Sequence, residues 1–491
     1  MAAALPQVRT YSRRRPEEGV LYQVLAEWLE TFLFTVDLDE GRSPLPAFVR
    51  RELRAYLDCG ILAKGFARVR CKTCGKDGLV AYSCKKRGVC PSCGARRMVD
   101  QAAHLIDHVL PDVPIRQWVL SLPYIVRYRI GFDPELLSAV RRTFMRGVQS
   151  FVKRRLRDLG VPDGRTGAVV CVQRYDSALR LDPHFHALVL DGVYTDLGLY
   201  SEPRFHALPR PAAEDIRKLT RSLSGRILKL LRRRGALDAQ QYQELGALEL
   251  CQVAAVQGRI PFGEGAGQPD PRPGRHNEPL PPRTEPPLCA EYGGFSLHAA
   301  TRVPAGHRNR LERLCRYLLR PAIATERLSL TPRGKVRYAF KKAWRDGSVA
   351  VEMSPLTFIS RLAALIPAPR ANLVTYHGLL APAASYRDQV IPEPTAGLPT
   401  LRDPKATPVD GATRLSKEQR RRKLLWAEAM KRGLGLDVLA CEHCGGRREV
   451  LTFLTDPLVI TKILDHLGLP SELPPIRAAR PPPGSERMFG A

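Results

Sequence analysis

Two cysteine knuckles, Cys71-Lys-Thr-Cys74-Gly75 and Cys90-Pro-Ser-Cys93-Gly94, stand fifteen residues apart and restrict the fold more tightly than any other feature. Each CxxCG sequence makes a tight turn whose amides face the thiolates. Two such turns supply the four sulfurs of a tetrahedral zinc. The N-terminus, MAAALPQVRTYSRRRPEEG, has no apolar core ahead of a cleavage site, so reduced thiols and a metal are expected rather than disulfides. Cys71, Cys74, Cys90 and Cys93 are the expected zinc ligands, with Cys84 a spare that leaves the fourth position open. Four thiolates leave no room for a substrate, so the site is expected to be structural. Lys85, Lys86, Arg87, Arg96 and Arg97 thread the knuckles and make them a candidate phosphate grip. Cys441 and Cys444 form a separate pair: half a zinc site completed by Glu442, His443 or His466, or a bare turn. Cys59, Cys171, Cys251, Cys289 and Cys315 stand alone.

Charge points the same way. The 491 residues hold 77 Lys+Arg against 49 Asp+Glu, a net charge of +28, which favours a polyanionic partner, above all nucleic acid. Ribosomal and membrane-surface proteins share such a balance. No apolar run approaches the roughly 18 residues of a membrane span, so an integral membrane protein is not expected and a cytoplasmic one is.

Periodicity divides the chain. Residues 20–58 read as helical, with Leu21, Val24, Leu25, Trp28, Leu29 and Phe32 at helical spacing. A helix over Met98–Leu110 follows the knuckles, then a strand over Ile115–Leu122. Asp133-Pro134-Glu135 opens a long amphipathic helix ending near Gly160. Strands are predicted at Gly167–Gln173, His184–Leu190, Phe295–Val303, Val336–Lys341 and Ser348–Glu352. Further helices are predicted over 216–234, Arg308–Leu319 and Pro355–Leu365. Proline-rich 263–288 and 390–412 read as linkers, Ser416 with Gln419 as a helix cap before Trp426, and 474–491 as a disordered tail. The expected organisation is a helical and zinc-binding domain (1–110), a catalytic domain in two parts (111–262 and 289–390) around the first linker, a basic C-terminal region (391–473) and the tail.

Asp182-Pro-His-Phe-His-Ala-Leu-Val-Leu-Asp191 is the stretch that points to chemistry. In a strand, His184 and His186 project side by side while Phe185 packs on the opposite face. Two neighbouring imidazoles hold one divalent cation and leave positions for a phosphate oxygen. A chance pair in a half-buried strand explains the motif equally well. Tyr317, in Leu314-Cys-Arg-Tyr-Leu-Leu-Arg-Pro321, is a nucleophile candidate flanked by Arg316 and Arg320, and on its own also reads as a packing residue.

GAVVCVQRYDSALRLDPHFHALVLDGVY resembles the HUH core of the rolling-circle insertion-sequence transposases, including the common-region group. YLDCGILAKGFARVRCKTC with SCKKRGVCPSC, RQWVLSLP, GFSLHAATRVP, RLERLCRYLLRP, KVRYAFKKAWRDG, PRANLVTYHGLLAP and CEHCGG with ILDHLGLP are similar to the same family, in order from about residue 20 to 470. The resemblance implies an α+β chain: a zinc-binding domain, then a ferredoxin-like, antiparallel HUH nuclease domain, then a small basic region. It implies nicking of single-stranded DNA at element ends and target site, a 5′-phosphotyrosine intermediate, and Mg²⁺ or Mn²⁺ on the histidines. By position, His184 and His186 match the motif and Tyr317 the nucleophile; Gln173 and His298 are candidate third ligands or substrate contacts. Founding members carry two tyrosines four residues apart, whereas positions 313 and 321 here are Arg and Pro. Tyr376 is then either a second nucleophile or a packing residue. Asp176 and Arg180 replace an expected Gly and Asn. A replication initiator or relaxase with the same chemistry, and a zinc-containing DNA-binding protein without catalysis, are the alternatives.

Overall fold

A computed structural model describes the chain apart from residues 1–8, 11–12, 39–41, 162–163, 199–200, 238–244, 264, 276–285, 393–425 and 482–491. The β-branched stretches assemble into one sheet in the order Val374–Gly378, Gly167–Tyr175, Leu181–Leu190, Ile115–Ser121, Phe295–His298, Cys289–Tyr292. Arg302–Val303 pairs beside Ile115–Ser121, and all of these pairings are antiparallel. One face presents Trp118, Phe185, Ala187 and Val189 to helices Pro134–Arg157 and Ala213–Arg233. The other presents Cys171, Leu188 and Leu190 to helices Pro91–His108 and Arg308–Leu319. The result is mixed α+β, with helices covering both faces so that the central strands are apolar on each side. Among the described residues no helix is long and apolar enough to cross a membrane.

Local chemistry sets the element boundaries. The Asp133 carboxylate accepts from the amides of Glu135 and Leu136 at 2.9 and 2.8 Å, and Pro134 fills the first helical position. The predicted helix over 20–58 is two helices, Val20–Asp37 and Ala47–Leu57, because Pro44 and Pro46 cannot continue the hydrogen-bond ladder.

At the base of the sheet Asp191, 1% exposed, accepts from Arg116 at 2.8 and 2.9 Å and from Arg302 at 2.7 Å, tying three strand ends together. Removing its charge leaves the buried Arg116 guanidinium uncompensated. Asp191→Asn is therefore expected to cost about 3–5 kcal/mol of stability, measured by urea unfolding. A loss below about 1 kcal/mol would show that the cluster is not a structural pin.

Three expectations about chain organisation change. Part of the 263–288 linker is folded: its Asp270 meets the fully buried Arg361 at 2.5 Å. Residues 474–481 of the expected tail lie along the first helix, where Arg477 and Arg480 reach Glu27 at 3.3 and 2.6 Å. The C-terminal region is not a separate appendage, since Arg448–Leu454 forms the third strand of a sheet with the zinc hairpin Phe66–Cys71 and Asp77–Ala81. Apolar burial around Leu62, Phe66, Ile460 and Leu464 holds the two ends of the chain together. The Ser416 cap and most of the 390–412 linker lie outside the described residues.

Candidate active site and zinc centres

Strand alternation places His184 and His186 on one face of Leu181–Leu190, their ring centroids 4.9 Å apart, while Phe185 packs against Phe144 on the other. Each ring is oriented by a partner. His184 Nδ1 lies 2.7 Å from the Asp182 carbonyl oxygen, which only accepts, so this nitrogen carries the proton and Nε2 keeps its lone pair. His186 Nδ1 lies 2.8 Å from the amide group of Gln117, and its Nε2 is buried without a partner. With the Gln117 amide turned so that its oxygen accepts from Nδ1–H, His186 Nε2 is likewise a free donor of electrons. Burial first, then the charges of His184, Arg320 and His298, push the His186 imidazolium down to about 3, so the ring is neutral near pH 7.

Gln173 completes the group. It pairs across the sheet with His184, and its Nε2 donates to the carbonyls of Leu318 and Tyr317 at 2.9 and 3.3 Å. Its Oε1 is buried and unpartnered. Two imidazole nitrogens and one amide oxygen thus lack protein partners on one face, a donor set that fits a divalent cation. His298 stands opposite Val119, which stands opposite His186, so two strand spacings of about 4.8 Å separate it from the pair.

The helix Arg308–Leu319 brings Tyr317 over this face. Its ring centroid lies 6.4 Å from that of His186, the rings are nearly perpendicular, and the side chain is 50% exposed. The Arg320 guanidinium lies 4.0 Å from the Tyr317 ring centre and donates to the Tyr317 carbonyl at 2.8 Å. Arg316 points elsewhere, donating to the Gly433 carbonyl at 2.8 Å, so it anchors the Trp426–Leu434 helix. Tyr376 is half-buried beside Cys171, opposite Val169 on the same face of the sheet as the histidines. Asp176 accepts from the Ala178 and Arg180 amides at 2.9 Å and from the Arg180 side chain at 2.6 Å, so both departures from the family pattern serve to close the turn between the two central strands.

The cysteines are divided differently from the expectation. Cys90 and Cys93 join Cys59 and Cys84, whereas Cys71 and Cys74 join Cys441 and Cys444. Cys84 and Cys59 are therefore ligand candidates, and CEHC is completed by thiolates rather than by Glu442, His443 or His466. Sulfur separations are 3.5 Å for Cys59–Cys90, 3.6 Å for Cys84–Cys93, 3.5 Å for Cys71–Cys444 and 3.8 Å for Cys74–Cys441. A disulfide needs about 2.05 Å. A tetrahedron with Zn–S of about 2.3 Å needs sulfurs roughly 3.8 Å apart. Gly75 and Gly445 both sit at positive φ (70° and 71°), giving the two knuckles of the second cluster the same turn. Cys90 instead caps a helix that has Pro91 at its first position. Both clusters are suited to structural zinc.

Residues 167–388 match a protein family described as “Putative transposase”, and residues 32–122 match one described as “Transposase zinc-binding domain”. The chain thus carries one region similar to a transposase family and one similar to a transposase zinc-binding domain. The first match contains Gln173, both histidines and Tyr317; the second contains Cys59, Cys71, Cys74, Cys84, Cys90 and Cys93. Cys441 and Cys444, which complete the second cluster, lie outside both. Comparison with curated proteins and with solved structures gave no match. Similarity to transposases implies a DNA partner, and the net charge of +28 is in keeping with one.

Gln117 is the site residue that the sequence reading missed. Its signal is a polar side chain at an inward position of the strand Ile115–Ser121, beside the apolar run Trp118–Leu120, and it is only 5% exposed.

Proposed function

We propose that this protein is a transposase that nicks and rejoins single-stranded DNA at the ends of an insertion sequence, in the manner of the rolling-circle and common-region elements it resembles. The observation that carries the reading is the convergence of His184, His186 and Tyr317 on one exposed face, with the His186 and Tyr317 rings 6.4 Å apart. Tyr317 Oη attacks the scissile phosphorus, the bond from phosphorus to the 3′ oxygen breaks, and that oxygen leaves as a 3′-hydroxyl after taking up a proton. The DNA is left joined to the enzyme as a 5′-phosphotyrosine, and reversal onto another 3′-hydroxyl rejoins the strand. His184 Nε2, His186 Nε2 and Gln173 Oε1 would hold Mg²⁺ or Mn²⁺, which when bound offsets the negative charge of the phosphate oxygens. The chain's own residues then position the strand. Gln173 fixes the carbonyls at the end of the tyrosine-bearing helix, Arg320 stacks on the nucleophile's ring, and Gln117 orients His186.

The test is incubation of the protein with labelled single-stranded oligonucleotides from its element's ends, with Mn²⁺, Mg²⁺ or chelator, followed by denaturing gels. A protein–DNA adduct that needs the metal and disappears in His184→Ala is expected. DNA binding with the correct ends but without any cleavage would instead favour a non-catalytic DNA-binding protein.

A further inference from the structure

Beside the tyrosine face, where Gly167–Tyr175 loses its neighbour at the edge of the sheet, lies a cavity of about 290 Å³. The edge strand Val374–Gly378 pairs with this strand as far as Cys171, and one further bond joins the Val172 amide to the Leu373 carbonyl at 2.8 Å. The zinc-binding domain roofs the gap: Arg87 comes from the loop between the cysteines of the first cluster, and Arg97 from the helix capped by Cys90. Arg174 rises from the floor and Arg320 forms the wall shared with Tyr317. Among the described residues no carboxylate lines the cavity.

Four arginines therefore line one cavity, their side chains donate to neutral carbonyls, and the nearby Glu52 carboxylate is taken up by the Arg87 and Gly88 amides at 3.3 and 3.0 Å. Arg87 donates to the carbonyls of Ala371 and Ala368 at 3.3 and 3.2 Å, Arg97 to that of Lys85 at 3.1 Å, and Arg320 to that of Tyr317 at 2.8 Å. Arg174 makes one long contact, 3.3 Å to the Ala364 carbonyl, and its Nε is buried with no partner at all. Among the described residues none of the four forms an ion pair within 4.0 Å. Burial, followed by the charge of Arg87, lowers Arg97 below its usual range. Like charges held out of water in this way lower their mutual repulsion by taking up an anion. Planar guanidinium forks match phosphate oxygens. The rings of Tyr175 and Tyr376 on the walls supply flat apolar surface of the kind on which bases stack.

We propose that this cavity is a second strand-binding subsite, which holds one internucleotide phosphate and its nucleotide next to the phosphate attacked by Tyr317. The inference rests on the reading of the transposase as acting on single-stranded DNA, and it assigns to Arg174 a contact that its position in the sequence does not suggest. It also gives the first zinc cluster a task in binding: by fixing Arg87 and the helix of Arg97, it shapes the subsite.

Arg174→Met keeps the bulk of the side chain and removes its charge. Binding of the full-length protein to an end-labelled single-stranded oligonucleotide, followed by fluorescence anisotropy across a salt series, is expected to be about tenfold weaker in this variant. The slope of log affinity against log salt should fall by about 0.7, one phosphate contact on a single strand. Arg174→Lys should recover part of the loss. A single methylphosphonate linkage walked along the oligonucleotide should weaken the wild type at one position and leave Arg174→Met unchanged at that position. Zinc content and melting temperature equal to wild type establish that the variant is folded. Unchanged affinity and slope in Arg174→Met, or a loss with no methylphosphonate position that distinguishes the two proteins, would overturn the subsite. So would displacement of the strand by millimolar inorganic phosphate with no positional effect, since the cavity would then be a free-anion site. Failure of the wild type itself to bind single-stranded DNA would overturn the functional reading together with the subsite, whereas a difference confined to the variant bears on the subsite alone.

Discussion

Tyr317→Phe is expected to abolish the covalent adduct, lowering nicking by about 10⁴-fold or more, the scale seen when a nucleophile is deleted from a preorganised site. The substitution removes one oxygen and keeps the ring on which Arg320 rests, so the helix has no reason to move. Affinity for single-stranded DNA should therefore stay within about twofold of wild type, and the loss should fall on the chemical step alone. Quantifying adduct and free 3′ ends on the same gel measures both. An adduct that survives in Tyr317→Phe would transfer the nucleophile to another residue, and Tyr376 would be tested next. Tyr376 shares the face of the histidines but is half-buried against Cys171, whereas Tyr317 is 50% exposed with its ring 6.4 Å from that of His186.

The second large effect concerns metal content. If Cys71, Cys74, Cys90 and Cys93 shared one zinc, substituting Cys441 and Cys444 would leave that zinc in place. With the ligands divided as the structure has them, Cys441→Ala with Cys444→Ala should lower zinc from two atoms per chain to one. Structural zinc sites contribute on the order of 10 kcal/mol or more to the fold that contains them, so the Arg448–Leu454 strand should detach and become open to protease. Elemental analysis of the purified protein decides the first part and limited proteolysis the second. Two zinc atoms retained in the double variant would reject this division of the cysteines.

What could be read from the sequence was what depends on local periodicity. The strand through His184 and His186, the turn away of Phe185 and the helix carrying Tyr317 all follow from spacings of two or of three to four residues. Asp133-Pro134 announced its helix because a cap acts within one turn. The metal clusters were harder, because a CxxC turn specifies half a site and says nothing about where the other half lies. Cys59 and Cys84 are single cysteines with no local partner, and Cys441 reaches Cys74 across the entire fold. One local clue was present: Pro91 makes the Cys90 knuckle a helix start, while Gly75 and Gly445 make the other two knuckles alike. Gln117 and Arg174 escaped for a related reason. Each matters through a neighbour in an adjacent strand or domain, and neither stands in a pattern that marks it.

The pairing of Cys71 and Cys74 with Cys441 and Cys444 also orders events during synthesis. A ribosome that has made the first knuckle must add more than 360 further residues before the second emerges, so the early thiols wait in solution while the central sheet forms between them. Closing so long a loop costs roughly 3 kcal/mol more in entropy than closing one of about fifteen residues, well below the order of 10 kcal/mol a structural zinc supplies, so the delay is one of time rather than of stability. Copies of the gene interrupted by a stop codon or a frameshift before Cys441 would yield chains with an unclosed hairpin and bare cysteines, the kind of product that cellular quality control removes. An intact reading frame is in this way written into the metal site.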